Sequence, residues 1–338
     1  MPPLPPALVL TAGLGTRLSP LTNVRAKAAV PVAGRPLIVR ILEWLAGQGV
    51  SDAVLNLHHR PETIAREVGH GEQFGLRVRY SWEPVILGSA GGPRQALPLL
   101  GSRFFIVNGD TVTDLSLRAL SEHHAATEAL VTLAVTPHPA PERYGGVQID
   151  NAGWIRGFSR VGDASAMHFV GVQLAEANVF GSLPAETPAT TIGGIYDNLT
   201  GANKNALCAF PIEAPFREVG TPHDYLETTL GIANDEGLPL SVISANSKIH
   251  RSATLTQTTV WDHVEIGANC CLHECIVTDN VILPTGTNAN RQIFIATERL
   301  ASTLEERRFG NALVYPIESG TPLSSKVSIR RTKTKHGE

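Results

Sequence analysis

The chain of 338 residues is 43% hydrophobic and 17% charged, and its formal net charge is −3. That balance excludes a disordered or fibrous protein, gives no footing for nucleic acid, and leaves room for one large domain with a smaller one. Four cysteines, three of them crowded at Cys270, Cys271 and Cys275, make no spaced disulfide framework. Zinc is conceivable there, with His263 and His273 nearby, but the spacing fits no standard zinc pattern, and buried thiols in a reducing cytosol are expected instead. The opening MPPLPP lacks a basic start, its apolar run is too short for a signal peptide, and no later stretch approaches a membrane span. A cytoplasmic protein is expected.

In chain order, Ala7–Leu10 is a short apolar run that reads as a buried strand, and it breaks into a glycine turn holding Gly13, Gly15, Thr16 and Arg17. Two glycines let the backbone approach a bulky anion and point N–H donors at it; Arg17 adds a planar donor fork, and Lys27 a second cation ten residues later. Residues 37–46 carry apolar side chains at helical spacing, 53–57 reads as a second buried strand followed by His58 and His59, 61–68 as a helix, and 76–80 and 104–107 as strands. This rhythm predicts an α/β fold: a Rossmann-like mixed, mostly parallel sheet with helices on both faces. Ligands then sit beyond the carboxyl ends of the strands, where the glycine turn falls.

The stretch EPVILGSAGGPRQA (83–96) is a glycine-rich turn opening a helix, again a source of N–H donors with room for a flat ligand. Glu83 opens this segment with a carboxylate that only accepts hydrogen bonds; the alternative to a ligand contact is that it caps the sheet edge in solvent. FFIVNGDTVTD (104–114) ends an apolar strand with Asn108, Gly109 and Asp110. A carboxylate there, beside a glycine, suits a hard cation such as Mg²⁺, while capping the following helix falls to Asp114. VTLAVTP (131–137) reads as a strand, RYGGVQID and GWIRGF as a hairpin, and 225–233 as a helix ending near Gly237. From Ile249 apolar residues recur every six positions in two interleaved sets: Val264, Cys270, Ile276 and Ile282, beside Val260, Ile266 and Leu272. That period resembles the hexapeptide repeat of left-handed parallel β-helices. A short helix is expected over 303–308 and a mobile basic tail over 324–338. The expected division is 1–240, 246–290 for the β-helix, and 291–338 as an extension.

The quoted motifs resemble the sugar-nucleotide pyrophosphorylases, that is, nucleoside triphosphate:sugar-1-phosphate nucleotidyltransferases. That family reads GxGTRLxPLT, then a lysine, then PVxGKPLI. Here Gly13, Gly15, Thr16, Arg17, Leu18, Pro20, Leu21, Thr22, Lys27, Pro31, Val32, Gly34, Pro36 and Leu37 fall in step. Segment 83–90 is similar to QPxxLGTA with Glu83 in place of glutamine, Gly109-Asp110 to the family's GD motif, and Tyr144, Gly145, Val147 and Asp150 to YGxVxxD. FREVGTPHDY resembles WxDIGTPxxY, with Glu218 where the aspartate stands. The Phe-x-Glu-Lys-Pro stretch is not kept: Phe158 is followed by Ser159, Arg160 and Val161. Arg160 either meets a sugar phosphate with its fork or is a solvated hairpin charge.

The resemblance implies the nucleotide-diphospho-sugar transferase fold followed by a short left-handed β-helix, and an enzyme in which a sugar-1-phosphate oxygen attacks the α-phosphorus and pyrophosphate leaves. It assigns catalysis to Arg17 and Lys27, and nucleotide binding to Ala12, Gly13, Gly15, Thr16, Glu83, Gly88 and Ser89. Asn108, Gly145, Arg160 and Gly171 would take the sugar phosphate, and Asp110 and Glu218 would hold Mg²⁺. Glu83 and the closing motif are most similar to mannose-1-phosphate guanylyltransferases, which implies GTP and mannose-1-phosphate. Uridylyl or thymidylyl transfer to a glucose-type or amino-sugar phosphate is one alternative, and a catalytically silent sugar-nucleotide-binding subunit is another. The implied partners are the two substrates, without nucleic acid or membrane, and the β-helix offers contacts for a homo-oligomer.

Overall fold

The computed structural model describes residues 3–297 and 307–318. At its centre is β1 (Ala7–Leu10), whose apolar side chains are buried on both faces. A loop of short 3-10 turns and a small hairpin, β2 (Pro31–Val32) with β3 (Arg35–Pro36), lead into α1 (Leu37–Gly47). β4 (Asp52–Leu57) pairs with β1 in parallel, and α2 (Pro61–Val68) connects to β5 (Arg77–Trp82), the sheet edge. Beyond α3 (Gly88–Ala96), β6 (Arg103–Asn108) takes the other side of β1, also in parallel. β7 (Thr111–Thr113) and α4 (Leu117–Thr127) follow, and then β8 (Val131–Pro137), β9 (Gly146–Ile149), β10 (Ile155–Ser159) and β11 (Met167–Glu176). The short α5 (Asn178–Gly181), α6 (Tyr196–Ala202), β12 (Leu207–Pro211), β13 (Phe216–Glu218) and α7 (Pro222–Asp235) complete this part.

The resulting nine-stranded sheet runs β10-β9-β11-β6-β1-β4-β5, with β8 attached to β11 and β12 to β8. It is mixed: β11 opposes β6 and β8, while β12 runs parallel to β8. Alternate residues of the central strands serve different cores, Val9, Leu55 and Phe105 on one face and Leu8, Val54 and Phe104 on the other, as a sheet covered on both sides requires. Two caps differ from expectation. Ser116, not Asp114, caps α4 by accepting from Ala119 N. α7 starts at Pro222 because Thr221 and Asp224 close a reciprocal capping box.

The C-terminal part is a parallel coil with three walls. β14 (Val242–Ile243), β17 (Thr259–Val260), β20 (Ile276–Val277) and β23 (Gln292–Ala296) stack on one wall; β15 (Lys248–Ile249), β18 (Glu265–Ile266) and β21 (Ile282–Leu283) on the second; β16 (Thr254–Thr256), β19 (Cys271–His273) and β22 (Asn288–Asn290) on the third. Register partners such as Lys248 with Glu265, and Glu265 with Ile282, stand 17 residues apart. Two sides of each turn take six residues and the third takes five. The inward series is therefore Val260, Ile266, Leu272, Val277, Leu283, Ala289 and Phe294. A strict six-residue count slips by one at the short side. This corrects two expected positions: Ile282 is 48% exposed, and Ile276 is buried against the sheet domain rather than inside the coil.

The coil is closed by β25 (Ala312–Pro316), antiparallel to β23, and by β24 (Arg307–Phe309) on β25. Residues 307 and 308, the described end of the helix expected over 303–308, are thus strand. Residues 303–306 and the basic tail lie outside the described residues. Cys270 and Cys275 point into the coil and Cys271 is exposed; all four cysteines are free. Among the described residues no helix is long and apolar enough to cross a membrane.

Candidate active site

The carboxyl ends of β1, β4 and β6 meet at a cavity of about 370 Å³. Its floor is organised by Asn56, the one side-chain amide in the apolar strand DAVLNL. Asn56 Oδ1 accepts from Thr11 N at 2.6 Å and Ala12 N at 3.3 Å, so it fixes the start of the glycine loop. Its Nδ2 donates to Glu83 Oε1 at 2.8 Å, while Glu83 Oε2 accepts from Leu87 N at 2.8 Å. Glu83 is fully buried, which removes the solvent-capping alternative. The two histidines after β4 fasten the flanking loops: a ring N–H of His58 donates to Glu83 O at 2.8 Å, and one of His59 to Thr22 O at 2.9 Å.

Over this floor the loop turns at Gly15, whose φ is +61°. A Cβ there would lie 2.8 Å from Thr22 Cγ2 and 3.1 Å from Lys27 Cβ, so both backbone angle and space demand glycine. The turn throws Arg17 and Lys27 toward two acids. Lys27 Nζ donates to Asp110 Oδ2, and Arg17 Nη2 is 3.5 Å from Glu218 Oε1. β13 pairs antiparallel with β7, Glu218 opposite Thr111, and Val219 N donates to Asp110 O at 3.2 Å. Asp110, in the turn that leads into β7, and Glu218, the last residue of β13, are thereby brought side by side. Burial, then repulsion from Asp110, raises the Glu218 carboxyl above its ordinary pKa, against the pull of Lys27 and Arg17.

A third cation, Arg143, forks onto Asp224 at 2.7 and 3.1 Å and lies over the Tyr144 ring at 5.1 Å. The Asp224 hydrogen bond raises the Arg143 pKa, with the charge of Glu218 also contributing. Asp224 accepts from Thr221 N as well, so both of its oxygens are engaged within the protein.

Of the residues singled out in the sequence, Ala12, Gly13, Gly15, Thr16, Arg17, Lys27, Glu83, Gly88, Ser89, Asn108 and Asp110 line the cavity. Glu218 stands at its rim through Arg17. Gly171, with φ +84°, lets β11 close on β6 and β7: a Cβ would sit 2.5 Å from Thr111 Oγ1 and 2.9 Å from Asn108 Nδ2. Gly145 backs onto Ser159 O, and Arg160 beside it is exposed; neither lines the cavity. Thr11, Asn56 and Arg143 were not singled out. A lone amide in an apolar strand was the available signal for Asn56.

Among the described residues no group of three or more histidines, cysteines or acids is placed to hold a metal ion. That applies equally to the cysteine-rich turns of the coil. Asp110 and Glu218 form a two-carboxylate oxygen set, the donor chemistry Mg²⁺ takes when phosphates and water supply its remaining ligands. The residues present fit such an ion.

Residues 6–235 match the nucleotidyl transferase family, and residues 231–292 match the GlmU-like C-terminal hexapeptide family. A mannose-1-phosphate guanylyltransferase of Mycobacterium tuberculosis is 26% identical over 292 residues, covering 83% of this chain and 81% of that one. A mannose-1-phosphate guanyltransferase of Aspergillus fumigatus is 38% identical over 143 residues, and there the match spans only 41% of this chain and 39% of the relative. In fold, the chain is similar to a putative glucose-1-phosphate thymidylyltransferase from Bacillus anthracis solved in complex with a sucrose. The TM-score is 0.60 at 20% identity, covering 68% of this chain and 95% of the other. With more than half its length matched, and with a glycine loop, a mixed sheet and a hexapeptide coil in that order, this chain belongs to the nucleotidyl transferase family.

Proposed function

We propose that this protein transfers a guanylyl group from GTP to mannose-1-phosphate, releasing pyrophosphate and forming a nucleotide sugar. The observation that carries the reading is the pairing in the cleft, where two loop cations meet two acids, one in the turn before β7 and one at the end of β13. A site of that composition suits reactions whose demands are the positioning and neutralisation of phosphates. The sugar-phosphate oxygen attacks the α-phosphorus in line, a new P–O bond forms, and the bond to pyrophosphate breaks. Arg17 and the loop N–H groups take up charge on the departing pyrophosphate, and Lys27 steadies the phosphate under attack. Asp110 and Glu218 are the residues to hold Mg²⁺, which when bound supplies charge neutralisation between the two phosphates.

Guanine is supported by the name of the Mycobacterium tuberculosis relative and by an acceptor-only residue at position 83. Asn56 and Leu87 each engage one oxygen of the Glu83 carboxylate, which lines the cavity. Mannose is supported by the names of the two relatives. The test is pyrophosphate release with GTP, UTP, dTTP and ATP against mannose-, glucose- and N-acetylglucosamine-1-phosphate. Preference for UTP or dTTP would overturn the guanylyl assignment, and silence with all pairs would overturn the transferase reading itself.

A further inference from the structure

Between the glycine loop and the β-helix lies a network that the reaction outlined above does not use. Arg25 stands two residues before Lys27, and its side chain is 11% exposed. Nε and Nη2 donate to the two oxygens of Asp279 at 2.8 and 2.7 Å, and Nη2 also reaches Asp262 at 2.5 Å. The guanidinium lies over the Trp261 ring, 5.4 Å from its centroid. Trp261 Nε1 in turn donates to the Tyr225 hydroxyl at 2.8 Å, and that hydroxyl donates to Pro31 O at 2.6 Å. Lys27 is thus bracketed: residue 25 is tied directly to two successive turns of the coil, and residue 31 to Trp261 through Tyr225.

The two aspartates occupy equivalent positions on successive turns, and Asp262 N donates to Asp279 Oδ1 at 3.1 Å. Ser244 on the preceding turn donates to Asp262. Burial works against the Arg25 charge, but the hydrogen bonds to Asp279 and Asp262 outweigh it. A buried pair of this kind contributes little net stability, because desolvation offsets the attraction, yet it allows few alternative geometries. Lysine would not do the same, since a single ammonium cannot present a planar fork to carboxylates on two turns.

We propose that Arg25 is a positioning residue for the transfer centre, through which two stacked turns of the β-helix hold Lys27 against Asp110. This rests on the catalytic reading of Lys27 given above. The test compares full-length Arg25→Met, Arg25→Lys and the triple variant Arg25→Met/Asp262→Asn/Asp279→Asn. Arg25→Met leaves two carboxylates without their cation, so its Tm falls; the triple variant removes that charge and recovers most of the loss. kcat, measured well below each Tm, falls about tenfold or more in both, KM changes by less than about threefold, and Arg25→Lys lies between native and Arg25→Met. If kcat returns together with Tm in the triple variant, the role is structural only and the proposal is overturned. Amide exchange supplies a readout independent of turnover: residues 21–31 lose about tenfold of their protection in the Arg25 variants, while β4 keeps its own. Should the native protein release no pyrophosphate with any pair, the transferase reading fails on its own. Unchanged exchange over 21–31 would still overturn the clamp, and a rise confined to that segment would uphold it.

Discussion

Arg17 reaches Glu218 with a side chain that is 57% exposed, over a distance of 3.5 Å. So exposed a pair adds no more than about 1 kcal/mol to stability. Arg17→Ala is therefore expected to leave Tm within about 3 °C of native while lowering turnover about 100-fold. Melting and steady-state kinetics on one preparation decide it, and a loss of folding in proportion to activity would refute the assignment. Glu218 shows the converse. Its folded pKa is raised, so at equal pH it holds a proton longer than the unfolded chain does, and it costs stability as pH rises through the carboxylate range and above. Glu218→Gln should raise Tm at pH 7 to 8 and lower activity; a lower Tm there would contradict the electrostatic account.

His168 is displaced the other way, to about 4, by burial first and by His138 second. The unfolded chain then takes up a proton near the ordinary histidine value while the folded one does not. Stability is full above about 6.5 and is lost as pH falls toward 4, by roughly 3 kcal/mol in total. His124, buried against Thr132 and Glu176 and also lowered, acts in the same direction. Urea midpoints measured from pH 7 to 4.5 should drop in the native protein and drop less in His168→Gln. That Arg17, Lys27 and Asp110 would line one cavity was legible because the glycine turn and the strand ends that carry them point to the same edge of the sheet. Arg143 was not: its role depends on Asp224, 81 residues away, and no local pattern announces such a partner.

Among the elements, the central strands were readable because fully buried strands carry uninterrupted apolar runs. The start of α7 was written as Thr221 followed three residues later by Asp224, a capping signature hidden by the more prominent glycine motif. The coil was recognisable by its near-hexad spacing, but its five-residue side shifts the phase once per turn. Ile276 and Ile282 were misplaced for that reason alone. Tight element contacts also predict where change is not tolerated. Gly171→Ala adds a Cβ at a positive φ and 2.5 Å from Thr111 Oγ1, so a loss of about 2 kcal/mol or more is expected in denaturant titrations. Because the neighbouring atoms belong to Asn108 and Thr111, turnover should fall with it.

For the whole molecule, the larger core does not stop at the sheet domain: Trp261, Ile276, Ile293, Ile295 and Ile317 of the C-terminal part belong to the same buried cluster as α1 and α7. Calorimetry of the full chain should accordingly show one cooperative transition, and truncation after residue 240 should lower Tm by about 10 °C or more or prevent soluble expression. Two well-separated transitions would show that the parts fold independently.

The repeat of 17 residues also limits how such a protein can change size. Copying one such block into the coil would add a storey about 4.8 Å high and keep every wall in phase. A block one residue longer would turn all later storeys outward by one position, replacing apolar lining with polar side chains and parting Asp279 from Asp262. Lengthening by duplication is thus open to this chain only in whole storeys, and those inserted beyond Asp279 would leave the grip on residue 25 intact.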